Sequence, residues 1–191
     1  MLTLLFSVTH AADKQQHITD LQASAKTQHL WLENEWLNLL HYGGEGTTPE
    51  NYQSEVNDER FFIAENGDTN PEAELLATIA AFYQTDSAGD DHAQCKFVAR
   101  LNWLKQKLPI EASTLPAVRC NSYTEWRKHV NSDLVTLVFP AYNLNSPSSM
   151  FGHTLLRLDS ASDEGNSRWL STAVNFGANV PEDDNSILYA Y

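Results

Sequence analysis

His153, Arg157, Ser148, Ser149, Cys95 and Cys120 are the side chains whose types and spacing suggest chemistry in this sequence. His153 and Arg157 stand four apart in the stretch FGHTLLRLD, residues 151–159. That stretch reads as a strand, and a period of two puts His153, Leu155 and Arg157 on one face and Thr154, Leu156 and Leu158 on the other. An imidazole held on a strand suits a general base, and Gly152 lets backbone approach closely beside it. A lone strand histidine is more often a structural hydrogen-bonding group than a catalyst, and spacing alone does not make it a base. Ser148 and Ser149, just upstream, raise a serine-hydrolase reading, but there is no Gly-x-Ser-x-Gly elbow around them. Cys120 with His153 would form a thiol–imidazole couple only if Cys120 were not bonded to Cys95.

The two cysteines read best as a disulfide in an exported protein, contributing on the order of 3 kcal/mol. Neither has metal-ligand spacing, so no metal or other cofactor is expected. Asp86, Asp90 and Asp91 lack the spacing of a calcium loop and read as solvated. With 12 Lys plus Arg against 25 Asp plus Glu and a net charge of −13, no basic face is available for a phosphate backbone, which excludes nucleic acid as a partner. The apolar run at 2–8, followed by Thr9-His10-Ala11, reads as the end of a secretory signal over residues 1–12, although it has no basic n-region. No run reaches the roughly 18–20 apolar residues of a membrane-spanning helix.

The elements that must position these residues follow from periodicity. Ile18, Leu21, Ala25, Leu32, Trp36 and Leu39 recur at helical intervals and predict one helix over 14–42, closed by Gly43-Gly44. His41 falls in its last turn. Residues 60–64 read as a brief strand or extended segment ending at Asn66-Gly67. Asn70-Pro71 is a helix start, with Leu75, Ile79 and Phe82 on the buried stripe. A further helix spans about 97–108, with Leu101, Leu104 and Leu108 on one side and Pro109 as its stop. Ser122-Tyr123-Thr124-Glu125 is a capping-box pattern. Leu134, Val135, Leu137, Val138 and Phe139 read as a buried strand, residues 143–149 as a loop, and 168–176 as a strand pairing with 151–158. The fold class is α+β: a helical N-terminal lobe over 13–131 packed on an antiparallel sheet in 132–191.

The segment SPSSMFGHTLLR, residues 146–157, resembles the signature of the Lnb N-terminal periplasmic domain family. The resemblance extends through Leu39-Leu40-His41-Tyr42, Arg60-Phe61-Phe62, Cys95 to Arg100 with Trp103-Leu104, and Cys120 with Tyr123 and Trp126, so that it spans about residues 36–176. It implies a periplasmic, exported protein whose full-length relatives are membrane-attached lipoprotein N-acyltransferases. These move a fatty acyl chain from a lipid-modified cysteine to that cysteine's amino group. It also implies a permuted papain-like (NlpC/P60-type) arrangement, in which a helix-borne cysteine attacks the acyl carbonyl and a strand histidine moves the proton. His153 matches the family histidine and Arg157 its arginine, which would bind or orient an anionic or carbonyl group; Ser148 and Ser149 lie beside them as binding residues. The family's Asn-Cys helix start and its membrane part have no counterpart in these 191 residues, so a fragment inactive on its own is expected. The expected partners are a lipid-modified lipoprotein or acyl substrate and the missing C-terminal membrane segment. A reading of another class, a non-catalytic interaction domain, would place Trp31, Trp36 and Tyr42 in one exposed patch.

Overall fold

The computed structural model of the chain describes residues 3–43, 48, 51–130, 132, 134–138, 154–159 and 172–175. It comprises two compact units, residues 1–123 and 124–191. The first is helical: α1 (Thr3–Thr27), α2 (Asn34–Leu39), α3 (Pro71–Ala81), α4 (Ala93–Lys96) and α5 (Val98–Lys107), followed by the start of α6 (Asn121–His129). The second holds the rest of α6 and a three-stranded antiparallel sheet in the order β1 (Leu134–Val138), β2 (Leu155–Asp159), β3 (Thr172–Asn175). The α+β class predicted from sequence is the observed one.

Ile18, Leu21 and Ala25 of α1 are buried at helical spacing. They join the same core as Leu75, Ile79 and Phe82 of α3. Gln22 bridges the two helices, its side chain donating to the Leu76 carbonyl at 2.9 Å. The α3 start is as predicted: the Asn70 side chain accepts from the Ala73 amide at 2.9 Å and Pro71 occupies the first turn. Pro109 likewise forces Leu108 into an extended conformation, which ends α5.

The single helix expected over 14–42 is two helices and an intervening 3-10 turn. His29 takes a left-handed φ of 51°, and the chain passes through Leu30–Leu32 before α2 begins. The break also changes which residues are buried: Leu32 is 49% exposed and Leu39 half-buried, while Leu30, Trp36 and Leu40 enter the core. The α2 terminus corrects the Gly43-Gly44 cap as well. His41, with φ 55°, is the left-handed residue. Its amide donates to the Asn38 carbonyl at 3.2 Å and the next amide, of Tyr42, to Leu37 at 3.0 Å, a Schellman arrangement without glycine.

Residues 59–61 form a 3-10 turn rather than a strand, because the Asp58 carboxylate caps it by accepting from the Arg60 amide at 3.0 Å. The same carboxylate takes the Arg60 guanidinium at 2.7 Å. These bonds lower its pKa from 3.8 to about 2, the Arg60 side-chain hydrogen bond being the largest cause. A lowered folded-state value means the contribution is present above the unfolded value and is lost as pH falls from about 4 through about 2. A carboxyl-detected NMR titration is expected to place the Asp58 midpoint near 2; a midpoint at the ordinary value would remove the cap.

The capping box at 122–125 is also corrected. Helix α6 begins one residue earlier, and the Ser122 hydroxyl donates to Asp90 at 2.8 Å instead of capping its own helix. The Ser122 amide donates to the same carboxylate at 3.0 and 3.2 Å. Asp90 is therefore a cap supplied from another loop and not a merely solvated acid, while Asp91 pairs with Lys96 at 3.4 Å. Cys95 lies inside α4 and is bonded to Cys120, with a Cα–Cα distance of 5.2 Å.

Candidate functional site

The sheet brings a polar set together on one face. Arg157 on β2 lies opposite Thr136 on β1 and Ala173 on β3, and Asp159 lies opposite Leu134. Residues two apart on a strand, and those directly opposite, share a face, so Thr136, Arg157 and Asp159 meet. The Arg157 Nε donates to Asp159 at 2.8 and 3.1 Å, and the Thr136 hydroxyl donates to Asp159 Oδ2 at 2.8 Å. The Asp159 side chain is only 14% exposed and that of Arg157 31%, so the guanidinium is oriented by a largely covered carboxylate. An arginine held this way presents its remaining N–H groups in a fixed direction, the geometry needed to bind an anionic or carbonyl oxygen.

The predicted alternation holds over β2, with Leu155 and Arg157 on one face and Leu156 and Leu158 on the other. His153, Ser148 and Ser149 lie outside the described residues. Asp159 and Thr136 were missed from sequence. The place of Asp159, two residues beyond Arg157, was legible in the same alternation, whereas Thr136 required the strand register.

The opposite face corrects the expectation of a buried first strand. Val135 is 65% exposed, Leu137 52%, Leu156 42% and Val174 48%. These side chains form an apolar face across all three strands. The run at 134–138 has the composition of a covered strand, and composition does not say which segment covers it.

In the helical unit the strongest electrostatic feature is a buried ion pair. Arg100 on α5 donates to Glu74 on α3 at 2.5 Å, with side-chain exposures of 3% and 0%. Glu74 also accepts the Ile63 amide at 2.9 and 3.0 Å and the Ala64 amide at 2.7 Å, while Arg100 donates to the Phe61 carbonyl at 2.6 Å. The guanidinium carbon sits 4.2 Å from the Phe97 ring centre and 4.8 Å from that of Phe61. Burial pushes the Glu74 carboxyl up and the Arg100 guanidinium down, each opposed by the charge of the other. Gly67 passes so close that a Cβ there would collide with the Glu74 carboxylate and lie 2.9 Å from Phe62 Cβ. Beside it the Tyr42 hydroxyl donates to the Gly67 carbonyl. Both charges are enclosed and fully engaged, so the cluster fastens residues 61–67 to the helices and is not placed to meet a substrate.

Trp36 and Tyr42 are buried and Trp31 half-buried, so the exposed patch that would have marked an interaction surface on this unit does not form. Both cysteines are consumed by the disulfide, which removes the Cys120–His153 couple while the bond is intact. Among the described residues no three His, Cys, Asp or Glu side chains come together as a metal site requires, and no helix is long and apolar enough to cross a membrane.

Comparison with known families divides the chain in two. Residues 122–191 match the Lnb N-terminal periplasmic domain, and residues 28–107 match a domain of unknown function, DUF7843. No curated protein and no solved structure matches the chain. The His41, Arg60–Phe62 and Cys95–Arg100 segments fall in the first of these domains along the chain, Tyr123, Trp126, His153 and Arg157 in the second, and Cys120 in the stretch between them.

Proposed function

We propose, from the match of residues 122–191 to the Lnb N-terminal periplasmic domain, that the chain is the periplasmic part of a lipoprotein N-acyltransferase working by thiol-mediated acyl transfer. The observation that carries the reading is the domain match itself, because it spans the segment holding Ser148, Ser149, His153 and Arg157. His153 is the general base. It takes the proton of a cysteine thiol, the thiolate attacks the acyl ester carbonyl, a thioester forms, and the ester oxygen leaves with the proton returned by the imidazole. The amino group of the lipid-modified cysteine then attacks the thioester, giving the amide and regenerating the thiol. Arg157, aimed by Asp159, holds an anionic or carbonyl oxygen of the substrate, and Ser148 and Ser149 are further binding residues.

With Cys95 and Cys120 bonded to each other, the thiol in this scheme comes from a segment outside the 191 residues, and the chain alone is inactive. The apolar face of Val135, Leu137, Leu156 and Val174 supports that reading, since it is the kind of surface a further segment of a papain-like fold covers. Localisation in the periplasm, with membrane attachment through the longer product, goes with it. His153→Ala in the longest natural form of the gene is expected to lower lipoprotein N-acylation by about 10²–10⁴-fold, read by mass spectrometry of lipoprotein N-termini. N-acylation at the wild-type level with the variant folded would end the catalytic role of His153 and leave the interaction-domain reading, to which the same exposed sheet face lends support.

A further inference from the structure

The charge at the sheet site is balanced within the site itself. The Arg157 guanidinium donates through Nε to both Asp159 oxygens, at 2.8 and 3.1 Å. Thr136 fixes that carboxylate from β1, its hydroxyl donating to Oδ2 at 2.8 Å. Among the described residues of β1, β2 and β3, Arg157 is the only cation and Asp159 the only acid, so these strands sum to zero charge. Ala173, directly opposite Arg157 on β3, adds a methyl group and no polar atom. The pair is not a closed bridge of the Glu74–Arg100 kind. The Arg157 side chain is 31% exposed where that of Arg100 is 3%, so its charge is balanced while its Nη groups stay accessible.

We propose that Asp159 sets what Arg157 binds: a neutral acyl carbonyl oxygen is held, and phosphate or carboxylate groups are refused. This deepens the acyl-transfer reading and rests on its assignment of Arg157 to the substrate. A phosphate arriving at the guanidinium meets attraction from Arg157 and, only one side-chain group further away, repulsion from Asp159. At such similar distances the two Coulomb energies largely cancel. The net charge of −13 on the chain adds to the opposition. A carbonyl oxygen needs an N–H donor held in direction rather than a net charge, and the bonds through Asp159 and Thr136 supply that direction. Asp159 is thus a specificity-determining residue acting through Arg157, and Thr136 a positioning residue acting through Asp159.

Inorganic phosphate is the probe. The Arg157 Nε–H resonance of the ¹⁵N-labelled 191-residue chain, assigned by its loss in Arg157→Lys, is followed during phosphate titration. Millimolar phosphate is expected to leave it in place in the wild type and to move it in Asp159→Asn, whose affinity for phosphate is at least about tenfold higher. If that variant does not fold, Asp159→Thr, equally uncharged and suited to a strand, takes its place. Thr136→Val keeps the carboxylate charge but frees its aim. It is expected to go on refusing phosphate while N-acylation by the longest natural form falls severalfold, and Thr136→Ser is expected to restore that activity. The proposal is overturned if the wild type binds phosphate as tightly as the Asp159 variant, if neither binds it, or if Thr136→Val acylates at the wild-type level. Undiminished N-acylation in Arg157→Ala would instead end the substrate role of Arg157 on which the proposal rests, whatever phosphate does. Lost N-acylation in that variant, together with phosphate binding by the wild type, would overturn the proposal and leave that role standing.

Discussion

Glu74→Ala is expected to lower the unfolding free energy by about 3–5 kcal/mol, because it leaves the Arg100 guanidinium buried with no counter-charge. The loss extends beyond the pair. The Ile63 and Ala64 amides lose their acceptor, and the turn at residues 61–67 loses its attachment to α3. Arg100→Ala should cost a similar amount, since the carboxylate is then the stranded charge. Replacing both together with leucine and methionine should recover much of the loss, as apolar residues of matching volume often replace a buried pair without penalty. Urea denaturation followed by far-UV circular dichroism gives the free energies of the wild type and of the three variants. Single-variant losses below about 1 kcal/mol would mean that water reaches the pair.

Reduction of Cys95–Cys120 should remove about 3–4 kcal/mol, the loop-closure value for a sequence separation of 25 residues. The effect should be local as well as global, because the bond closes a segment fastened to the helical unit at several points. The Gln94 side chain donates at 3.1 Å to both the Phe82 and Pro116 carbonyls, and the Tyr83 and Thr114 hydroxyls lie 3.3 Å apart. Hydrogen exchange with and without a dithiol reductant is therefore expected to show lost protection concentrated in residues 108–121. An unchanged denaturation midpoint after complete reduction, verified by thiol counting, would show that the other ties suffice. An independently made Cys95→Ala, Cys120→Ala variant should match the reduced protein.

Some of this structure could be read directly from particular residues. Asn70-Pro71 and Pro109 act through backbone chemistry local to themselves, so the start of α3 and the end of α5 were legible. The cysteine pair was legible because two residues admit one partnership. The alternation over β2 gave the face of Arg157 because a strand's geometry has one period. What escaped was set by partners distant in sequence. Glu74 looks like a first-turn carboxylate of α3, and only Arg100, 26 residues on, makes it a buried ion. Asp90 looks solvated until Ser122 reaches it. His29 and His41 adopt left-handed conformations without the glycine that would have announced them, so a helical pattern ran through one real break and its terminal cap was assigned to the wrong residue. The cover on β1 is a property of the surroundings, and the composition of the strand does not carry it. As for the candidate site, Arg157 was legible with its face, Asp159 was within reach of the same reasoning, and Thr136 depended on a register that no local feature encodes.

The bond to Cys120 and the grip of Asp90 on Ser122 also bear on the order in which the protein can be made. All the buried apolar residues of the helical core lie at or before Ile110, and the two fastenings follow within the next dozen positions. A chain that emerges N-terminus first therefore has what it needs to complete and seal this unit by residue 122, before any strand of the sheet has appeared. Domains that mature in this sequence avoid holding a large unfinished core open while synthesis continues. The sheet, with its apolar face, follows in the chain only after the helical unit has what it needs to be covalently closed.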